Sequence, residues 1–123
     1  MLNSGARDGL RDRCYKFGLA IIELTNALPN KRSAWVIGDQ ILRSATSIGA
    51  NVVEARASSS RLEYKKYFEI ALKSANETEY WLQLLKDAKL AESSRIDVLA
   101  AEVTQLCKML GASVIKLKQK TNF

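Results

Sequence analysis

The chain has 123 residues, of which 47% are hydrophobic and 26% charged, a composition that argues against a disordered protein. With six Gly, one Pro and no His, it also argues against a loop-rich β fold and a histidine-based metal site. Nineteen Lys and Arg against thirteen Asp and Glu give a net charge of +6, compatible with a nucleic acid, an acidic partner or neither. The length predicts a single domain over residues 1–123.

Apolar residues in the first half recur at steps of three and four, the spacing of a helix buried on one side. The first stripe, from Leu10 to Leu28, predicts a helix over about residues 7–28, ended by Pro29. The second predicts a helix over about residues 33–57, with Ser33 as its N-cap.

The second half contains two more stripes of this kind. Ser60 and Glu63 have capping-box spacing and open a predicted helix over about residues 60–88. Ser93 opens the last predicted helix, over about residues 93–119. Four helices of similar length joined by short breaks predict an all-α fold, an antiparallel up-down-up-down four-helix bundle.

Polar residues interrupt the apolar stripes of the second and third helices. If these helices form a hairpin, Ser44 lies near Ser74, and Gln40 or Arg43 lies near Glu77. Buried polar groups need partners, so we expect a buried network that fixes helix register rather than a ligand or catalytic site. Its predicted members are Gln40, Arg43, Ser44, Ser47, Asn51, Glu54, Ser74 and Glu77.

Small residues make the second helix thin, and Gly49 in its middle predicts close approach of another helix, from this chain or a second copy. The third helix has two apolar stripes, a wider face than a surface helix needs. One stripe is expected in the core and the other against a neighbouring subunit. These features favour an oligomer over a monomer with a thicker core.

The sequence contains no signal-peptide core, and none of its apolar runs is expected to approach membrane-spanning length. Cys14 and Cys107 are far apart, which predicts reduced thiols in a cytoplasmic protein. Without a histidine base, a nucleophile elbow or a Gly-rich phosphate loop, we expect no enzyme activity. No cofactor, metal, small-molecule substrate or membrane partner is expected.

Two blocks of sequence resemble a known family. Residues 40–54 contain Gln40, Arg43-Ser44, Ser47-Ile48, Asn51 and Glu54 at the spacing found in helix 2 of the four-helix bundle family of 23S rRNA intervening-sequence proteins. Residues 68–77 are similar to the helix 3 pattern of that family. Many members have Gly after the glutamate, whereas Ala55 stands here, so we expect the helix to continue to about residue 57.

The resemblance implies a cytoplasmic bacterial bundle without enzymatic activity. Related bundles are the accessory variability proteins of diversity-generating retroelements, which form five-subunit barrels that bind a reverse transcriptase and nucleic acid. The resemblance therefore implies a homo-oligomer, with a homopentamer favoured, and RNA or DNA and a reverse transcriptase as partners.

We expect a basic, non-enzymatic RNA-binding or ribonucleoprotein accessory protein, whose Lys and Arg neutralise phosphates. The candidate contacts are Arg7, Arg11, Arg13, Lys16, Lys65, Lys66, Lys73, Lys116, Lys118 and Lys120. Against this, the positive charge is spread evenly along the sequence, and no RNA-recognition module is present. The alternative is a protein-interaction scaffold with no direct nucleic-acid role, in which Trp35, or Tyr80 beside Trp81, anchors a partner.

Overall fold

The computed structural model describes residues 9–121, with side chains described for residues 9–119. It contains four helices and, within these residues, no strand: α1 (Gly9–Asn26), α2 (Arg32–Ala57), α3 (Arg61–Asp87) and α4 (Ser93–Thr121). Each helix packs against its neighbours in the order α1, α2, α3, α4 and back to α1, whereas the diagonal pairs have no Cα atoms within 8 Å of each other among the described residues. The predicted all-α, antiparallel four-helix bundle is confirmed.

The α1–α2 connection differs from its prediction. The N-cap of α2 is Lys31, in extended conformation, and its side chain makes no capping hydrogen bond. Lys31 N donates to Pro29 O at 2.8 Å in a tight turn, and Lys31 O already accepts from Trp35 N at 3.1 Å. The turn that follows proline therefore starts the helix earlier than the side-chain signal suggests, and the prediction of Ser33 as N-cap is wrong. The α2 helix runs on to Ala57, as expected from Ala55.

The ends of α3 are defined by local hydrogen bonds. The Ser60 side chain accepts from Glu63 N at 3.1 Å, which confirms the predicted N-cap. At the other end Lys89 adopts a positive φ of 58°, with Leu90 N donating to Leu85 O and Lys89 N to Lys86 O. This is a Schellman motif with lysine where glycine is usual.

One apolar core runs the length of the bundle, and every helix contributes large side chains to it. The largest fully buried side chains include Ile21 of α1, Ile41 of α2, Phe68 of α3 and Leu106 of α4. Burial of such side chains is the main term that stabilises the fold.

The last helix differs from the expectation that no apolar segment approaches membrane-spanning length. By length and composition alone, the segment Ser93–Gln119 could cross a membrane, so one apolar segment does reach spanning length. In the bundle, its residues Ile96, Val103, Leu106 and Leu110 are buried against the other helices. A helix in the core of a globular protein can have the same length and apolar composition as a membrane-spanning helix.

Two contacts fix α1 in the bundle. A Cβ atom placed on Gly49 would lie 3.2 Å from Cys14 Cβ, so the glycine allows α1 and α2 to approach closely, within one chain. On the other side, Arg13 donates to both carboxylate oxygens of Glu102 in α4, from Nε at 3.0 Å and from Nη2 at 2.7 Å. The Glu102 carboxylate raises the pKa of Arg13 through this hydrogen bond and its charge.

Candidate nucleic-acid interface

The polar residues of α2 and α3 meet in a layer between the two helices. At its centre Ser44 and Thr78, both fully buried, are joined Oγ to Oγ1 at 2.9 Å. Thr78 also donates to Ser74 O at 2.8 Å, so its single proton is used there, and the Ser44 hydroxyl donates either to Thr78 or to Ile41 O at 3.3 Å. Towards one edge Ser74 donates to Ser47 Oγ at 3.0 Å, and Asn51 donates to the same oxygen at 2.9 Å.

A second group of polar side chains lies at the surface edge of this layer. The Glu77 carboxylate, whose side chain is 35% exposed, accepts from Arg43 of α2 and from Trp81 Nε1 at 2.9 Å. Arg43 also donates to Gln40 Oε1 at 3.0 Å. This group is a half-exposed clamp between α2 and α3, and the predicted meeting of Arg43 with Glu77 is confirmed.

Three features of the network differ from the prediction. Arg43 and Glu54 are exposed, so the prediction that they are buried is wrong, and Glu54 lies outside both groups. Ser44 faces Thr78 rather than Ser74, because the pairing of α2 with α3 is shifted by one helical turn. Thr78 was not predicted as a member of the network, although its hydroxyl group within an apolar stripe could have indicated it.

The buried polar atoms of the layer are all hydrogen-bonded. Every buried side-chain nitrogen and oxygen that the structure describes has a hydrogen-bond partner. Residues 9–119 also contain no group of three or more Cys, Asp or Glu that could hold a metal ion. The buried hydroxyl groups of the layer are therefore satisfied by one another and by backbone carbonyls.

The bundle topology separates the charges. Antiparallel packing brings together the first half of α1, the second half of α2, the first half of α3 and the second half of α4. We call residues 9–17, 45–74 and 107–119 the basic end. It holds eleven Lys and Arg against four Asp and Glu, a net charge of +7. The opposite end, residues 18–44 and 75–106, holds six against eight, a net charge of −2.

The predicted nucleic-acid contacts among the described residues lie at the basic end. They differ in exposure and in whether a neighbouring carboxylate pairs with the charged side chain. Lys66, Lys73 and Lys116 are exposed and form no ion pair with a carboxylate of residues 9–119. Arg11 is exposed, and Lys65 is half-buried. Three further exposed cations of this end, Arg56, Arg61 and Lys108, were missed by the sequence analysis.

The remaining candidates are held by neighbours or lie outside the described side chains. Arg13 is occupied by Glu102, so the structure assigns it to α1–α4 packing instead of a surface contact. Lys16 lies 3.0 Å from Asp12 one turn earlier, and Lys118 lies 4.0 Å from Glu69. Arg7 and the side chain of Lys120 lie outside the described residues.

Comparison with known proteins identifies relatives of this chain. The family model described as 23S rRNA-intervening sequence protein matches residues 10–112. The chain is also similar to the crystal structure of a protein of unknown function from the S23 ribosomal protein family of Bacteroides thetaiotaomicron. The two are 37% identical, with a TM-score of 0.81, and the match covers 85% of this chain and 97% of that one. No curated protein matches. With its four-helix bundle and its helix 2 and helix 3 motifs, the chain belongs to the family of 23S rRNA-intervening sequence proteins.

Proposed function

We propose that this protein is a non-enzymatic nucleic-acid-binding or ribonucleoprotein accessory protein that binds RNA through its basic end. The observation that carries the proposal is the separation of +7 from −2 along the bundle. A net charge of +6 spread evenly would give little preference for one surface. Concentrated at one end, it produces a local potential that attracts a polyanion.

The expected chemistry is neutralisation of phosphates by flexible ammonium and guanidinium groups. Each phosphate contact releases bound counterions, so the affinity falls as salt rises, with a logarithmic slope of about −0.7 per contact for single strands. Lys66 and Lys73 are two turns apart on α3, so both side chains project from the same side of that helix. Such contacts hold the backbone of a nucleic acid without reading its sequence.

The test is fluorescence anisotropy of a labelled RNA oligonucleotide over a range of salt concentrations. We expect the triple substitution Lys66→Gln, Lys73→Gln and Lys116→Gln to weaken binding and to reduce the salt slope by about 2. The matched control replaces Lys31, Arg32 and Lys89, three exposed cations of the opposite end, and is expected to change binding little. Equal losses in both triple variants would contradict a site at the basic end.

We further propose that the protein self-associates, with the homopentamer as the expected form. Support comes from the second apolar stripe of α3, where Ile70 remains exposed and Tyr67 and Trp81 are only half-buried in the single chain. Light scattering of the purified protein at low and high salt tests this. A mass five times 13.7 kDa supports the pentamer, and a 13.7 kDa species contradicts self-association.

A protein-interaction scaffold is the alternative function, and one surface favours it. Trp35, 62% exposed, and Val36, 54% exposed, lie side by side at the start of α2, far from the basic end. Exposed aromatic side chains are the usual anchors of protein interfaces. The scaffold predicts no salt-dependent RNA affinity. A reverse transcriptase, the protein partner implied by the resemblance, is tested by co-purification with and without Trp35→Ala.

A further inference from the structure

An apolar groove runs between α1 and α2 on the outside of the bundle. Its volume is about 250 Å³, and its lining is mostly apolar. The close approach of Cys14 and Gly49 forms its base, while Leu19 and Val53 stand partly exposed on its two sides. The groove is smaller than the roughly 300–1,000 Å³ of sites for drug-sized ligands, and suits one flat ring system.

Where the groove reaches the basic end of the bundle, it is lined by an aromatic side chain and a cation. Tyr15 lines it and is 67% exposed, the most exposed aromatic side chain among the described residues. Arg11, one turn before Tyr15, lines the same groove. An exposed aromatic ring beside a basic surface is the arrangement on which unpaired bases stack while cations follow the backbone.

We propose that this groove accepts an unpaired base of single-stranded RNA, which stacks on Tyr15 while the basic end holds its phosphates. The inference rests on the proposed function and names the form of RNA that this surface selects. Bases paired in a duplex are stacked on one another and cannot enter the groove. The protein therefore discriminates single strands from duplexes at Tyr15, and binds the phosphates of both through its lysines.

The charge of the surroundings favours RNA over a second copy of the chain as occupant. If two copies met groove to groove with their α1 helices parallel, the two Arg11 side chains that line the grooves would lie close to each other. Like charges brought together in an interface are unfavourable, whereas a polyanion complements the same residues. Arg11 and Tyr15 of the groove lie at the basic end, which also holds Lys66 of α3 and Lys116 of α4.

The experiment compares one RNA oligonucleotide as a single strand and as a duplex, by anisotropy at fixed salt. We expect Tyr15→Ala to weaken single-strand binding by about 5- to 100-fold, the range for loss of one stacked base. Duplex binding and the salt slope should stay unchanged because no charge is removed. Tyr15→Phe keeps the ring and is expected to bind as wild type. The control is Tyr80→Ala, which removes another exposed tyrosine, 59% exposed, from the opposite end.

A second variant tests the groove without removing the ring. A Cβ atom on Gly18 would have no heavy atom within 4 Å, so Gly18→Leu places a side chain towards open space at the groove without a backbone clash. We expect it to weaken single-strand binding at least 5-fold and to spare duplex binding.

Three outcomes would overturn the inference. Unchanged single-strand binding by both Tyr15→Ala and Gly18→Leu, with folded helical spectra, removes the groove from the site. Equal losses for single strand and duplex show that Tyr15 does not read unpaired bases. A lowered oligomer mass for either variant assigns the groove to a subunit contact. Absence of any RNA binding by the wild type refutes the proposed function itself, and is distinct from these three.

Discussion

The buried hydroxyl pair between α2 and α3 permits a quantitative prediction. Ser44 and Thr78 are both fully buried, so solvent does not weaken their interaction. Thr78 donates to Ser74 O, and Ser44 donates either to Thr78 or to Ile41 O, which lies 3.3 Å away. Neither single substitution therefore leaves a buried donor without an acceptor. Ser44→Ala loses the hydrogen bond with Thr78, and Thr78→Val loses that bond and the one to Ser74 O, each worth about 0.5–1.5 kcal/mol.

The assay is a double-mutant cycle on the free energy of unfolding, measured by urea denaturation with helical circular dichroism. We expect Ser44→Ala to lower the unfolding free energy by about 1 kcal/mol, and Thr78→Val, which loses two hydrogen bonds, by about 1–3 kcal/mol. In the double variant the second loss should be smaller, which gives a coupling energy of about 0.5–1 kcal/mol. Thr78→Val preserves the shape of the side chain, so a cavity does not confuse the measurement.

The control pairs Thr78→Val with Ser113→Ala on α4, whose hydroxyl donates only to Met109 O, at 3.2 Å. This distant pair should be additive within about 0.5 kcal/mol. Additivity of the Ser44–Thr78 pair within the same error would refute the hydrogen bond between them. A loss above about 3 kcal/mol for Ser44→Ala alone would show that a donor had been left unsatisfied, against the reasoning above.

Further predictions concern substitutions at four positions. Gly111→Ala should raise the unfolding free energy by about 1 kcal/mol, since nothing lies within 4 Å of the new Cβ. Gly49→Ala should raise the unfolding free energy less than Gly111→Ala does, or lower it, because the new Cβ would press on Cys14. Equal thermal midpoints for the Gly49→Ala and Gly111→Ala variants would contradict the close approach of α1 and α2. Glu77→Ala should lower stability by about 1 kcal/mol and Glu77→Gln by less, since the carboxylate is half-exposed; a midpoint unchanged by Glu77→Ala argues against the clamp. Burial raises the pKa of Cys107 from 9.0 to about 11. The stability from its neutral thiol is therefore complete below pH 9 and is lost as pH rises towards 11, and a Cys107→Ala variant should show less of this alkaline loss.

The number of helices and most of their ends were predictable from sequence because they depend on local signals. The spacing of apolar residues shows which face of each helix is buried, and Ser60 caps α3 through a neighbour three residues away. The same reasoning failed at Ser33, where the turn after Pro29, a feature of backbone geometry, determines the start of α2. The clamp of Arg43 and Glu77 was found because Arg43 lies beside the apolar stripe of α2, Glu77 lies within that of α3, and a hairpin brings these two helices together.

The features that were missed depend on how the helices pair. The α2–α3 register was predicted one turn away, because the connecting turn and the tilt of the helices set the offset and neither has a sequence signal. Arg13 was predicted to contact phosphate because its partner, Glu102, lies 89 residues away in the sequence and the pairing could not be foreseen. The charge separation was invisible in the linear sequence, where successive quarters are about equally basic, and arises only when alternate helices reverse direction.

The basic end has a consequence for how readily its surface can change. Two helices begin there and two end there, so their macrodipoles oppose one another and contribute little net charge. The electrostatic asymmetry of the molecule is therefore carried by exposed side chains that take no part in the core. Substitutions at positions such as Lys66 or Lys116 can strengthen, erase or reverse that asymmetry at little expense to folding. Members of one bundle family can thus share a scaffold and differ in the charge that they present to a partner, with ionic strength governing how far that charge acts.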